Sequence, residues 1–383
     1  MKTRLVFLFI FMTAMTIFPT NLSSFQKIHL DHKDGLGSNY IRWIGQDNHG
    51  YIWVVTGTGL SRFNGTDFET FNTNNSGLNS DELNCIIADP QNPDKVWIGS
   101  RYDGLYTYDY NTGKITQYSG KLHTNDVPHL SISSDNKIWV THYHKPPEKL
   151  DPSTGETERL FWKAPKNFAL PIWCMAEDKA GKFIYIGHEN EGMTVVDLKT
   201  KKFKNYKHNP LDEKSIGGNT VYSIYVDKDN YIWVGTENGI SIFNPRSENF
   251  ISFTHADYPN SILPGAVRSI TNMDSEEIWI ATSQGGISIF EGDSFSGGNI
   301  KFTNITPDTK GNPQETLYSS SPYVLFKDSF GNKWIGYQSD GIDVAGYDPP
   351  FVRQMPVLGQ SINNQTRPTV WSMTTDRKGN VWM

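Results

Sequence analysis

Three histidines, His142, His144 and His188, are the first residues that could do chemistry by themselves. In "HYH" the spacing of two puts both imidazoles on one side of an extended chain. No Cys, Asp or Glu stands at a recognisable zinc-ligand spacing from them, so no metal site is expected. "DKDN" from Asp227 resembles the head of a calcium loop but lacks the Gly and terminal Glu of that pattern, and reads better as a turn. Hydrolysis of a glycosidic bond needs two carboxylates about 5 to 9 Å apart, and the sequence singles out no such pair. A "GxSxG" nucleophile motif is also missing. These readings give no catalytic residue, no metal and no cofactor.

A different set suits binding without turnover. It comprises Arg42, Trp43, Arg101, Tyr102, His142, His144, Trp173, His188, Glu189, Glu237, Asn238, Arg268, Gln284, Tyr323 and Gln338. Aromatic faces lie against the C–H surface of a sugar ring, and planar polar groups satisfy its hydroxyls. Each member taken singly is as well explained as a loop or packing residue. Their interest lies in a shared position, which the rest of the chain explains.

"DKDNYIWVGTENGISIF", Asp227 to Phe243, recurs as "DNHGYIWVVTGTGLSRF" from Asp47, as "DSFGNKWIGYQSDGIDV" from Asp328 and as "DRKGNVWM" from Asp376. Aligned on the motif tryptophan, the copies fall at Trp53, Trp97, Trp139, Tyr185 as a stand-in, Trp233, Trp279, Trp334 and Trp382, at intervals of 44, 42, 46, 48, 46, 55 and 48 residues. A period in the forties with several short strands per unit predicts a β-propeller of four-stranded antiparallel blades. Within one unit, "NTVYSIYVD", "YIWVGT", "ISIF" and "FISF" are strands separated by "DKDN", "ENG" and "NPRSEN" turns. The turn Asp can accept from backbone amides of its own loop, and the tryptophan is expected between adjacent blades. A meander puts the second turn of each blade and the link to the next blade on one face, where the channel mouth and the binding set belong.

Seven copies fill residues 25–355, and residues 356–383 read as a linker and the truncated first blade of a second propeller. Each fourth strand precedes the next blade's first. "FQKIHL", Phe25 to Leu30, therefore has no earlier blade to finish and is expected to complete the seventh, beside "GIDVAGY" from Gly341, which leaves "FVRQM" from Phe351 for the second array. Residues 1–24 carry Lys2 and Arg4, then an apolar run from Leu5 to Phe18, then small polar residues, the pattern of a secretory signal peptide. Cys85 and Cys174 each stand four residues before a turn Asp, where other copies place Ser131, Ser223 and Ser372, so both are expected as small reduced residues of inner strands. The net charge of -6, with scattered Lys and Arg, offers no basic stripe for nucleic acid.

The run "DGL…N…D..GYIW…T.GL.RF", Asp34 to Phe63, resembles the two-component regulator propeller repeats, the exported sensor part of hybrid two-component systems of gut Bacteroidetes. The similarity runs past residue 24 over nearly the whole chain. It implies two seven-bladed propellers, a small β-sandwich, one membrane span, then histidine kinase, receiver and DNA-binding parts, of which only the first propeller and the start of a second lie here. It also implies a periplasmic sensor of complex-glycan oligosaccharides, a homodimer formed through downstream domains, and membrane contact only through the part absent from this sequence. The copy "SSDNKIWVTHYHKPPEKLD" around Trp139 departs from the pattern, as do Tyr185 and the repeat at Trp334. The alternatives are a propeller lyase or glycosidase, and a structural propeller that serves dimer contact.

Overall fold

The computed structural model describes residues 27–161, 171–256, 260–274, 277–291, 301–307, 316–346, 374–375 and 381–382. Residues 1–24, expected as a signal peptide, and "FVRQM" lie outside them. Seven four-stranded antiparallel sheets follow one another as meanders. Their inner strands are Ile41–Gln46, Leu83–Ala88, Leu130–Ile132, Ile172–Glu177, Val221–Val226, Val267–Asn272 and Pro322–Lys327; neighbours pack together round the ring, the last returning to the first, and the third sheet meets Ile172–Glu177 through its second strand, Ile138–His142. Blades are numbered 1 to 7 in that order. The chain divides at Tyr347; residues 348–383 form a separate unit in which Thr374–Thr375 pairs with Val381–Trp382.

The ring closes as the strand order demands. Lys27–Leu30 is the outer strand of blade 7 and pairs antiparallel with Ile342–Ala345, Lys27 opposite Ala345 and Leu30 opposite Ile342. A propeller closed in this way leaves the last blade no unpaired third strand.

The motif tryptophans do two jobs. Trp53, Trp233 and Trp334 are fully buried. Trp53 packs among Leu83, Ile86 and Ile98 of blade 2, Trp233 among Val267, Ile270 and Phe290 of blade 6, and Trp334 among Ile41, Ile44 and Phe63 of blade 1, so each seals the seam to the next blade. Their indole N–H groups cannot be buried without an acceptor. The turn Asp supplies it: in blade 5, Asp227 Oδ1 accepts from the amides of Asp229 and Tyr231, both at 2.9 Å, while Oδ2 accepts from Trp233 Nε1 at 2.9 Å. Asp47 and Trp53, Asp89 and Trp97, and Asp328 and Trp334 repeat the arrangement. The carboxylate therefore does more than cap a turn; it ties the hairpin to the seam.

Blade 3 departs from this. Its hairpin begins at Ser133, whose amide donates to Lys137 O as that of Asp89 does to Lys95 O, and Trp139 sends its indole N–H to Glu177 of blade 4. With Ser133 in the place of the turn Asp, Ser131 falls opposite Trp139. The residue equivalent to Cys85 is thus His129 and not Ser131, a shift of two that came from aligning on Asp135. Cys85 and Cys174 are free and buried, and burial raises both thiol pKa values well above the ordinary range. Their size is set by a close approach. Each faces a glycine of the second strand, Gly99 or Gly187; at the same place in blade 5 a Cβ on Gly235 would lie 2.3 Å from Ser223 Oγ and 2.6 Å from Val267 Cγ1 of the next blade.

Candidate functional site

The inner strands do not pair evenly with their neighbours. The register breaks between Ile41 and Trp43, Leu83 and Cys85, Ile172 and Cys174, Val221 and Ser223, Val267 and Ser269, and Pro322 and Val324. One residue is left over each time: Arg42, Asn84, Trp173, Tyr222, Arg268 and Tyr323. A bulge of this kind re-aims the extra side chain. Pro128 holds the same place in blade 3, five residues before Ser133 as Arg42 is five before Asp47. All seven residues line one cavity of about 470 Å³ around the start of the inner strands. Tyr40, Trp43, Arg101, His129 and Tyr143 complete much of its wall.

A smaller cleft of about 300 Å³ shares Arg101, Tyr143 and Trp173 with this cavity and adds Tyr102, Asp126, His144 and Glu189. Nine of the fifteen expected binding residues therefore meet: Arg42, Trp43, Arg101, Trp173, Arg268 and Tyr323 in the cavity, and Tyr102, His144 and Glu189 in the cleft. The other six line neither. His142 is buried inside blade 3, Nε2 donating to Glu148 Oε1 at 2.8 Å, while His144 is exposed. The "HYH" imidazoles do not share a side, because the strand Ile138–His142 ends there and the alternation stops with it. His188 is likewise interior, its Nε2 2.9 Å from Thr194 Oγ1. Glu237 accepts from the backbone amides of Asn219 and Thr220, both at 2.9 Å, and Asn238 donates to Gly217 O. Gln284 and Gln338 are exposed loop residues.

Sequence reading missed Tyr40, Asn84, His129, Tyr143 and Tyr222. For Asn84 and Tyr222 a signal existed: the position five residues before the hairpin Asp, which Arg42, Trp173 and Tyr323 also occupy.

The cavity wall is aromatic and cationic. Trp43 meets His129 edge-on at 5.3 Å, and Trp173 meets Tyr143 edge-on at 5.3 Å. The Arg268 guanidinium stacks 3.9 Å over Tyr222 and lies 5.8 Å from Tyr323. Burial pushes the Tyr143 hydroxyl up to about 12 and the His129 imidazole down to about 4, so at neutral pH the first is a donor and the second uncharged. Trp173 Nε1 and His129 Nδ1 are buried without a hydrogen-bond partner among the described residues. Unpartnered buried polar atoms at a cavity wall fit a ligand's hydroxyls or a bound water. Among the described residues, no cluster of three His, Cys, Asp or Glu could hold a metal ion.

Buried histidines also make the fold sensitive to acid. Burial holds His188 down to about 4, whereas the unfolded imidazole titrates near its ordinary value of about 6.5. As pH falls the unfolded chain takes the proton first. His188 thus favours the fold fully above about pH 6.5, and the contribution is lost between there and about pH 4, up to ~3 kcal/mol. Urea midpoints measured across this range should fall, and should fall less steeply for His188→Gln.

Known proteins give the same picture. The family described as two component regulator propeller matches residues 35–58 and 215–238. An extracellular domain assigned to a hybrid two component system of B. thetaiotaomicron is 30% identical, with a TM-score of 0.70 over 85% of this chain and 42% of that one. A second such domain from the same organism is 18% identical, with a TM-score of 0.67 over 84% and 40%. Virginiamycin B lyase of Staphylococcus aureus is 12% identical, with a TM-score of 0.59 over 84% and 98%. At those two lower identities the likeness shows the fold alone. The chain spans about two fifths of the two extracellular domains. Among curated proteins none matches it. The chain thus carries two-component regulator propeller repeats in a closed seven-bladed ring, and is similar to an extracellular domain assigned to a hybrid two component system.

Proposed function

We propose that this propeller is the ligand-sensing part of a hybrid two-component sensor and that it binds an oligosaccharide at the channel mouth without turning it over. The observation that carries the reading is the ring of bulged inner-strand residues, which points Arg42, Asn84, Trp173, Tyr222, Arg268 and Tyr323 into one cavity. A volume of about 470 Å³ is within the range of small-ligand sites. Glycoside hydrolysis needs a carboxylate pair flanking the bond. Among the described residues the cavity lining contains neither Asp nor Glu, which favours binding over hydrolysis there.

In this reading the domain is periplasmic, and binding biases one arrangement of the propeller and its downstream domains over another. A ligand can shift such an equilibrium only by its difference in affinity for the two states. On the same proposal, dimer contact and passage through the membrane use domains downstream of this propeller. No helix among the described residues is long and apolar enough to cross a membrane.

The test is a thermal-shift screen of the protein against oligosaccharides, since a ligand at 100 times its Kd adds about 2.7 kcal/mol to native stability. Trp173→Ala should weaken the best hit by about 2 kcal/mol, roughly 30-fold, as the loss of a central aromatic anchor does. An unchanged affinity in that variant refutes the site, and consumption of the oligosaccharide refutes the non-catalytic reading.

A further inference from the structure

Two arginines occupy the same bulge position in different blades, and they are not used alike. Arg42 in blade 1 is committed to the protein: Nη2 donates to Glu82 Oε2 at 2.8 Å and Nη1 to Leu83 O at 3.0 Å. Arg268 in blade 6 has no hydrogen bond and no ion pair among the described residues, only the ring contacts to Tyr222 and Tyr323. Stacking against tyrosine covers a face of the guanidinium but leaves its in-plane N–H donors unspent. Those donors form a fork that matches a planar carboxylate, and they also suit the oxygens of a sulfate.

We infer that the cavity receives an anionic substituent of a sugar, a uronic acid carboxylate or a sulfate ester, on the Arg268 guanidinium. The inference rests on the oligosaccharide reading above and narrows it. Three further observations support it. Among the described residues no acidic side chain lines the cavity, and none pairs with Arg268. Arg101, where cavity and cleft join, is a second guanidinium without an ion pair among the described residues; the cleft beyond it carries Asp126 and Glu189, so its cationic contact is offered on the cavity side only. Trp173 Nε1 adds a buried donor with no partner among the described residues.

The site also discriminates by what it leaves unpaired. A neutral sugar in this cavity would remove water from Arg268 and return no charge, whereas an acidic one replaces the lost hydration with charge-assisted hydrogen bonds. The overall charge of -6 repels anions at long range, which leaves selectivity to the cavity itself.

The test uses four small probes, D-glucuronate, inorganic sulfate, D-glucose and an N-acetylated dipeptide with a free carboxylate. Each is titrated into the protein and followed by the fluorescence of Trp43 and Trp173. Glucuronate or sulfate should bind at least about tenfold more tightly than glucose, and about 0.5 M salt should weaken it. Arg268→Gln should lose roughly tenfold or more of that affinity, as removal of a charge-assisted hydrogen bond does, while exposed Arg246→Gln should not. Whichever of glucuronate and sulfate is tighter identifies the substituent. Arg268→Lys keeps the charge without the fork and should bind with intermediate strength, which preserves the test if the glutamine variant folds poorly. Glucose binding as tightly as both anions, with Arg268→Gln unaffected, overturns the anionic site and leaves the oligosaccharide reading standing. The peptide binding above both glucuronate and sulfate overturns both readings, and no response to any probe overturns the anionic site.

Discussion

Asp343→Ala should lower the stability of the propeller by about 3 to 5 kcal/mol, the effect of breaking a buried ion pair from one side. Its carboxylate is fully buried in the third strand of blade 7. Oδ1 accepts from Lys27 Nζ at 2.8 Å and from His29 Nδ1 at 2.9 Å; Oδ2 accepts from the Tyr337 hydroxyl at 2.6 Å and from the Tyr318 amide at 2.9 Å. Lys27 and His29 belong to the closing strand, and His29 stacks on Tyr318 with ring centroids 3.6 Å apart. Removal of Asp343 would leave the buried Lys27 ammonium without a counter-charge and the Tyr337 hydroxyl without its acceptor. Denaturant unfolding checks this. Lys27→Met with Asp343→Leu should be markedly less destabilised than Asp343→Ala, because an apolar pair replaces both charges together. If the double variant is no more stable than the single one, the loss comes from packing rather than from a stranded charge.

Trp233→Ala is expected to cost a similar amount, about 3 to 5 kcal/mol, by opening a cavity in the seam between blades 5 and 6. Its ring lies 4.8 Å from that of Phe290, and the substitution also strips Asp227 Oδ2 of the indole donor. Arg101→Ala, at an exposed position, should shift stability by only a few tenths of a kcal/mol. Trp43 does not belong with Arg101 in this comparison, although both are cavity residues. It packs against the core clusters on either side of blade 2, so Trp43→Ala should cost stability as well as binding. Equal melting temperatures for Trp233→Ala and the parent would contradict the seam role.

The architecture was legible because it rests on chemistry that repeats. The tryptophan period sets the blades, and the surplus strand at Lys27–Leu30 had to complete blade 7, as its pairing with Ile342–Ala345 shows. Blade 3 was misaligned where the repeated chemistry changes, since Ser133 cannot hold an indole as Asp does and Trp139 turns to Glu177 instead. The cavity was only partly legible. Arg42, Trp173, Arg268 and Tyr323 attracted notice by residue type, whereas Asn84 and Tyr222 are marked only by their offset from the hairpin Asp, and the bulge that gives the offset meaning appears in backbone pairing. His142 and His188 misled for the opposite reason: an imidazole in sequence carries no sign of Glu148 or Thr194 waiting inside the blade.

The contact between Lys27 and Asp343 spans 316 positions of the chain. Six blades are built from hairpins that can form as soon as their own residues are available, but the seventh must recruit a strand made before any of the blades. Until Ala345 has emerged, Lys27–Leu30 has no partner, and afterwards Ile342–Ala345 presents an open edge until that strand arrives. Closing so long a loop is entropically slow and separates the last step of folding from the rest. The half-made ring is thus the state in which this chain is most exposed to pairing with a neighbour, and the speed of that one docking event sets how long the exposure lasts.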